Sequence, residues 1–141
     1  MNNIEKTELE SLVRKIVNEK LNICSVKSVN LTEVSVREED RLDTKNPSHK
    51  VYTRDVFTLE ESPRLGCGIM EMTDTTFDWN LAYDEIDYVI EGTLSIMCNN
   101  SVTTANAGEI ILIPKGSSIK FSVDGFARFM YVTYPANWAE I

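Results

Sequence analysis

The sequence predicts an all-β barrel preceded by one amphipathic helix, and three observations predict it. From Lys50 onward, short β-rich runs recur with turn residues between them, the pattern of a sandwich or barrel. No helical period separates one run from the next, which argues against βαβ units and a Rossmann-type sheet. The sustained helical period lies near the start of the chain, in "TELESLVRKIVNEKLN".

In that first segment Leu9, Leu12, Val13, Ile16, Val17 and Leu21 form an apolar stripe, with Leu21 one position late. Thr7 and Glu10 have the spacing of a capping box, and Asn22 suits the stop. A helix this short is marginal alone and needs a surface to pack on. The segment 1–24 is therefore set apart from a barrel domain over 25–141. In the mixed stretch that follows, "VNLTEVSV" reads as one or two strands. "REEDRLDTKNPSHK" is charged, breaks at Pro47 and reads as a loop.

The β-rich part reads as "VYTRDVFTL", a turn at "ESPR", "LGCGIMEMT", "FDWNLAYDEIDYVIE" and a turn at Gly92. Then come "TLSIMC", a turn at "NNS", "VTTANAG", "EIILIPKGS", "SIKFSV", a turn at "DG" and "FARFMYVTYP".

Composition narrows the partners. At 141 residues the chain fits one domain with its own core, and 43% hydrophobic residues mark it as globular. A net charge of −8, from 14 basic and 22 acidic residues, argues against nucleic acid. No run approaches the about 20 apolar residues of a membrane span, and the N-terminus has no signal-peptide pattern. Cys24, Cys67 and Cys98 make no C-x-x-C pair, so a reducing cytoplasm is the expected compartment.

Two stretches carry chemistry. Glu85 precedes Gly92 by six intervening residues, and Gly108 leads to Pro114 and Gly116 in "GEIILIPKG". Both spacings resemble the two short signatures of the cupin family, in the family's order and with a hairpin between them. The resemblance covers roughly residues 50–134 and implies a double-stranded β-helix, the jelly-roll barrel. It departs from the family at the ligand positions. The histidine positions of the first signature hold Trp79 and Leu81, or Asp78 and Asn80 in the longer spacing. Ile119 and Val123 stand at the histidine and asparagine of the second, and His49, the one histidine, sits in the charged loop. Zinc, iron and copper need imidazole or thiolate donors, so none of the usual cupin metals is expected. Glu85 and Asp87 leave a weak magnesium site open.

Alternation puts Trp79, Leu81, Tyr83, Glu85, Asp87 and Val89 on one inward face, with Ile119, Phe121 and Val123 opposite. In the resulting apolar cavity, Tyr83, Glu85 and Asp87 are the candidate catalytic groups and Trp79 is a wall. A buried carboxyl pair holds at least one proton above its usual range, as general acids and bases do. A second reading leaves Glu85 a buried residue satisfied by Tyr83 or backbone donors, and Asp87 tilted to a solvated rim. Lys115 and Ser117 in "IPKGSS" are the candidate phosphate contacts. That run is not a Walker A loop, because no glycine stands five residues before Gly116 and no helix follows.

Together "MEMTDTTFDWNLAYDEIDYVIEGTL", "AGEIILIPKGSSIKFSV" and "RFMYVTYPANWAE" resemble the EutQ family of ethanolamine-utilisation proteins, a cupin family that lacks the metal-binding histidines. The resemblance implies association with a bacterial microcompartment, a homodimer, and an acetate kinase activity that would bring Mg-ATP to the site. The helix "ELESLVRKIVNEKL" resembles peptides that dock enzymes on a microcompartment shell or partner enzyme. The alternatives are a helix that covers the barrel or a dimer neighbour, and a non-catalytic binding or assembly protein.

Overall fold

The computed structural model describes residues 3–21 and 24–141, so the Asn22 stop lies outside the described residues. The chain divides into two compact units, residues 1–30 and 31–141. In the first, helix α1 spans Asn3–Leu21. It begins one turn before the sequence places it, so Thr7 lies inside the helix and not at its N-cap. Glu5 near its start and Lys20 near its end complement the helix dipole. The stripe from Leu9 to Leu21 is exposed along its length.

The second unit is built of seven antiparallel strands: β1 (Lys50–Asp55), β2 (Gly66–Asn80), β3 (Asp84–Glu91), β4 (Thr93–Cys98), β5 (Ser101–Asn106), β6 (Ile110–Ile113) and β7 (Ser118–Tyr134). The long strands β2 and β7 pair with each other from Gly66↔Thr133 to Asn80↔Ser118. Their other neighbours divide them in half. The first half of β2 also pairs with β1, and the second half of β7 with β3, which carries β6. The first half of β7 pairs with β4, which carries β5. One ribbon thus serves two sheets, the architecture of a jelly roll.

The ribbon bends where the register shifts between Thr73 and Thr75. At the bend Asp74 and Gly125 both have positive φ, +42° and +80°, and the Gly125 amide donates to Asp74 Oδ1 at 2.7 Å. The shift of one residue in β2 keeps inward residues inward on both sides: Gly68, Met70 and Met72 before it, Thr75 and Phe77 after it. The "DG" dipeptide is therefore a corner inside one continuous strand and not a hairpin turn. "FDWNLAYDEIDYVIE" divides instead. β2 ends at Asn80 and β3 starts at Asp84, because Leu81 leaves the ladder to bond with the 114–117 turn. Its amide donates to Ser117 O at 3.0 Å and its carbonyl accepts from Gly116 N at 2.7 Å. Between β3 and β4, Gly92 turns at φ +78°, where a side chain would strike the Phe126 carbonyl.

Inside, Phe77, Phe121 and Phe129 stack at centroid spacings of 5.3 and 6.3 Å. Val89, Leu94 and Ile96 are also buried in this core. "VNLTEVSV" forms no strand. It makes a 3-10 turn at Leu31–Glu33, and its carbonyls are taken by an arginine instead of a ladder partner. Arg128 donates to the carbonyls of Leu31 and Val34 at 2.8 and 2.7 Å and pairs with Glu71 at 2.5 Å. Further along, Arg41 donates to the carbonyls of Pro47 and His49 and to the Tyr52 hydroxyl, and Arg54 pairs with Asp40 at 3.3 Å. The Leu42 amide donates to Val51 O at 2.9 Å. These contacts hold the 31–49 arm against β1 and β2, with Leu42 over the core.

Arg128→Ala takes a donor from Glu71 and from the carbonyls of Leu31 and Val34. It is expected to destabilise the protein by about 3 kcal/mol, measurable by urea denaturation. A loss of a few tenths of a kcal/mol would show that the arm needs no clamp.

Candidate functional site

Two rows of residues cross the inner face of the first sheet. In one, Ile113 on β6 pairs with Glu85 on β3, which pairs with Thr133 on β7, which pairs with Gly66 on β2. In the other the order is Ile111, Asp87, Tyr131, Gly68 and, on β1, Asp55. The two glycines make the room. A side chain on Gly66 would run into the Thr133 hydroxyl, and one on Gly68 into the end of the Tyr131 ring. Over Gly68 the Tyr131 hydroxyl reaches Asp55 and donates to Oδ1 at 2.6 Å.

Three polar groups in these rows are deeply buried, Glu85 at 5% exposed, Thr133 at 2% and Asp87 at 0%, while Asp55 at the end of β1 is exposed. Their hydrogen bonding is incomplete. Glu85 Oε2, both Asp87 carboxyl oxygens and Thr133 Oγ1 have no hydrogen-bond partner. A proton shared by the two acids would give one oxygen of each a partner. Burial pushes the Glu85 carboxyl up to about 7 against the lowering effect of Asp87. Burial, then the Glu85 charge, holds Asp87 well above the usual carboxylate range. Both tyrosines are raised as well, chiefly by burial, with Glu85 adding to Tyr83 and Asp55 adding to Tyr131.

Over Glu85 lies a cavity of about 10 Å³, walled by Trp79, Tyr83, Phe121, Tyr131 and Trp138, with Leu42, Thr53, Met70 and Glu85 itself. That is about the space of a single water. The Trp79 indole donates to the Tyr83 hydroxyl at 2.8 Å. Trp138, in a 3-10 turn at Trp138–Glu140, packs against three rings at once: Trp79 at 6.4 Å, Tyr83 at 6.0 Å and Tyr131 at 5.8 Å. It and Leu42 are half-buried, so together they cover the cavity.

The structure thus brings Trp79, Tyr83, Glu85 and Asp87 together, with Asp87 fully inside and not at a rim. It does not bring Lys115 and Ser117 to them. Those two lie in the turn after β6, outside the cavity walls. The Lys115 amide donates to Asp84 Oδ1 at 2.8 Å, and the Ser117 hydroxyl closes its own turn on Pro114 O at 2.6 Å. Sequence reasoning missed Thr133 and Tyr131, although β7 alternates in phase from Phe121 to Thr133 and that phase points to both. Leu42, Asp55 and Trp138 had no local signal. His49 binds Thr44 and Asn46 in its own loop.

The donor set does not fit a cupin metal. Trp79, Leu81 and Ile119 occupy the imidazole positions, and among the described residues no three His, Cys, Asp or Glu side chains converge. The pair does not fit a magnesium ion either, which keeps several waters in an octahedral shell. The cavity has no space for them.

Three comparisons bear on this arrangement. The family described as ethanolamine utilisation protein EutQ matches residues 4–140. A protein of Clostridioides difficile (strain 630) named acetate kinase EutQ is 56% identical over 99% of this chain and 98% of its own. Among solved structures, that of the Clostridium difficile EutQ protein superposes with a TM-score of 0.81 at 64% identity, covering 83% of this chain and 85% of the other. A cupin-2 domain protein of Shewanella frigidimarina superposes at 0.52 and 26% identity, over 59% and 78%.

The raised carboxyl has a consequence for stability. Glu85 binds its proton more tightly folded than unfolded, so its contribution is full below about pH 4.5 and is lost as pH rises through about 7. Glu85→Gln removes that dependence. The melting temperature of Glu85→Gln is expected to rise relative to the unmodified protein between about pH 5 and about pH 8. A constant difference across that range would mean that Glu85 is not held protonated.

Proposed function

The chain belongs to the EutQ family of ethanolamine utilisation proteins, and on that premise we propose that it is an acetate kinase, transferring phosphate between ATP and acetate. The observation that carries this reading is the buried carboxyl pair of Glu85 and Asp87, with Glu85 in the wall of an aromatic cavity. The name borne by the 56% identical relative supports it.

In the reaction an acetate oxygen attacks the γ-phosphorus of ATP. The bond from that phosphorus to the bridging oxygen breaks, and ADP leaves with that electron pair. No net proton transfer is required, because acetate is already an anion at neutral pH. The useful property of the pair is therefore the proton it retains, an O–H donor for the second acetate oxygen. A charge-assisted bond of this kind is worth roughly 1.5 to 3 kcal/mol. Mg-ATP is the co-substrate, its metal carried on the phosphates. Lys115, exposed in its turn, is the sequence-predicted cation for them. Acetate is larger than the cavity, so Trp138 has to move aside for turnover.

A second reading rests on that same closure: a non-catalytic binding or assembly protein. Acetyl phosphate formation from Mg-ATP and acetate separates the two. Turnover by the unmodified protein, with an acetate KM at least about ten-fold higher in Glu85→Leu, is expected for the kinase. No turnover in clean, folded protein leaves the assembly reading.

Two surfaces suit association. The outer face of the first sheet carries Ile86 beside Leu112 and Tyr88 beside Ile110, with Tyr134 next to Asp84; these five large side chains are 39–67% exposed. We assign this face to a homodimer. Leu112→Glu is expected to convert the dimer to monomer in light scattering without loss of fold, and a mass unchanged by the substitution counts against the face. The exposed stripe of α1 suits a shell or partner helix of a microcompartment.

A further inference from the structure

The interior of the barrel is acidic, aromatic and without a counter-charge. Tyr83 and Tyr131 face the carboxyl pair, Asp55 stands behind Tyr131, and Cys67 lies near Asp55. From β6 only Ile111 and Ile113 face it, and no Lys, Arg or His lines the cavity among the described residues. Glu85 Oε2 is buried without a partner at the cavity wall, and Asp87 Oδ1, Asp87 Oδ2 and Thr133 Oγ1 are buried without one in the adjoining rows. Around the mouth four aromatic rings meet, two of them indoles. Unpartnered acceptors answer to N–H donors, and ring faces attract organic cations.

We propose that the cavity is a binding site for a small organic ammonium ion, its nitrogen on the Glu85 carboxylate and its carbons against Trp79, Tyr83, Tyr131 and Trp138. The ammonium group matches the space that the closed cavity offers. An alkyl or hydroxyalkyl chain extends to the mouth and is accommodated when Trp138 turns away. In the closed cavity a hydrated metal ion would find no room for its shell. The chain's net charge of −8 draws cations toward it. Ethanolamine, the compound in the family's name, is a cation of this class. The site stands whether or not the protein transfers phosphate, and an ammonium would displace the proton that the pair otherwise holds.

The two tryptophans of the chain, Trp79 and Trp138, both line the cavity, so their fluorescence reports its occupancy without ATP or acetate. Methylammonium, ethanolammonium and tetramethylammonium chlorides would be titrated at constant ionic strength, with ethylene glycol as the neutral isostere of ethanolammonium. A saturable change is expected with the primary ammonium ions and none with ethylene glycol. The affinity should rise about ten-fold from pH 6 to pH 8 as the pair ionises, and Glu85→Gln, folded by circular dichroism, should bind at least about ten-fold more weakly. Trp138→Ala keeps Trp79 as reporter and opens the mouth. The proposal is overturned if neither the unmodified protein nor Trp138→Ala responds saturably. An equal response to ethylene glycol, or undiminished binding by Glu85→Gln, overturns it too.

Discussion

The structure depends on the pairing of β2 with β7. The two strands run antiparallel from end to end and bend together at Asp74 and Gly125. Each half of the ribbon then serves as the centre of a different sheet, so the barrel has a shared spine in place of two separate cores. Everything at the site is placed by that spine. β3 adds to one edge of β7 and sets Glu85 beside Thr133 and Asp87 beside Tyr131. β2 lies on the other edge with two glycines where those side chains need space. A one-residue slip would send the carboxyls to the outside, and the bulge at the bend holds the phase on both sides of the corner.

The spine also explains how two acids come to lie in a core. Burying a carboxyl without donors is expensive, and the barrel limits that expense by keeping the pair adjacent. One proton can then serve both, and burial with the Glu85 charge holds Asp87 well above the usual carboxylate range. Phe77, Phe121 and Phe129 fill the rest of the interior with stacked rings. That stack supplies the hydrophobic burial against which a strained polar group is tolerated. The closure by Trp138 and Leu42 finishes the isolation. It brings two segments distant in sequence, the C-terminal turn and the arm, over one small cavity.

The outside of the barrel follows a different logic. Arg41, Arg54 and Arg128 fasten the arm with bonds to backbone and acid. This is the polar work of a segment whose alternation resembles a strand but whose carbonyls are already taken. The β3–β6 face, by contrast, keeps Ile86, Ile110 and Leu112 in solvent. Alternation alone would put polar residues there, and the apolar side chains are the observation on which the dimer proposal rests.

The sequence by itself determined the barrel, the inward face of β3 and the absence of imidazole ligands. These are local: strand alternation fixes which side chains share a face, and Trp79, Leu81 and Ile119 stand where a metal would need nitrogen. It also determined the family, through runs that no single motif would carry. The tertiary structure alone decided the rest. Whether "DG" turns or merely bends a strand depends on Asp74, some 50 residues away in sequence. Whether Lys115 and Ser117 reach the cavity depends on how their turn bonds to Leu81 and Asp84. That Leu42, Asp55 and Trp138 belong to the site depends on contacts between segments that share no period. Periodicity reports the face of an element; it carries no information about which distant element will cover that face.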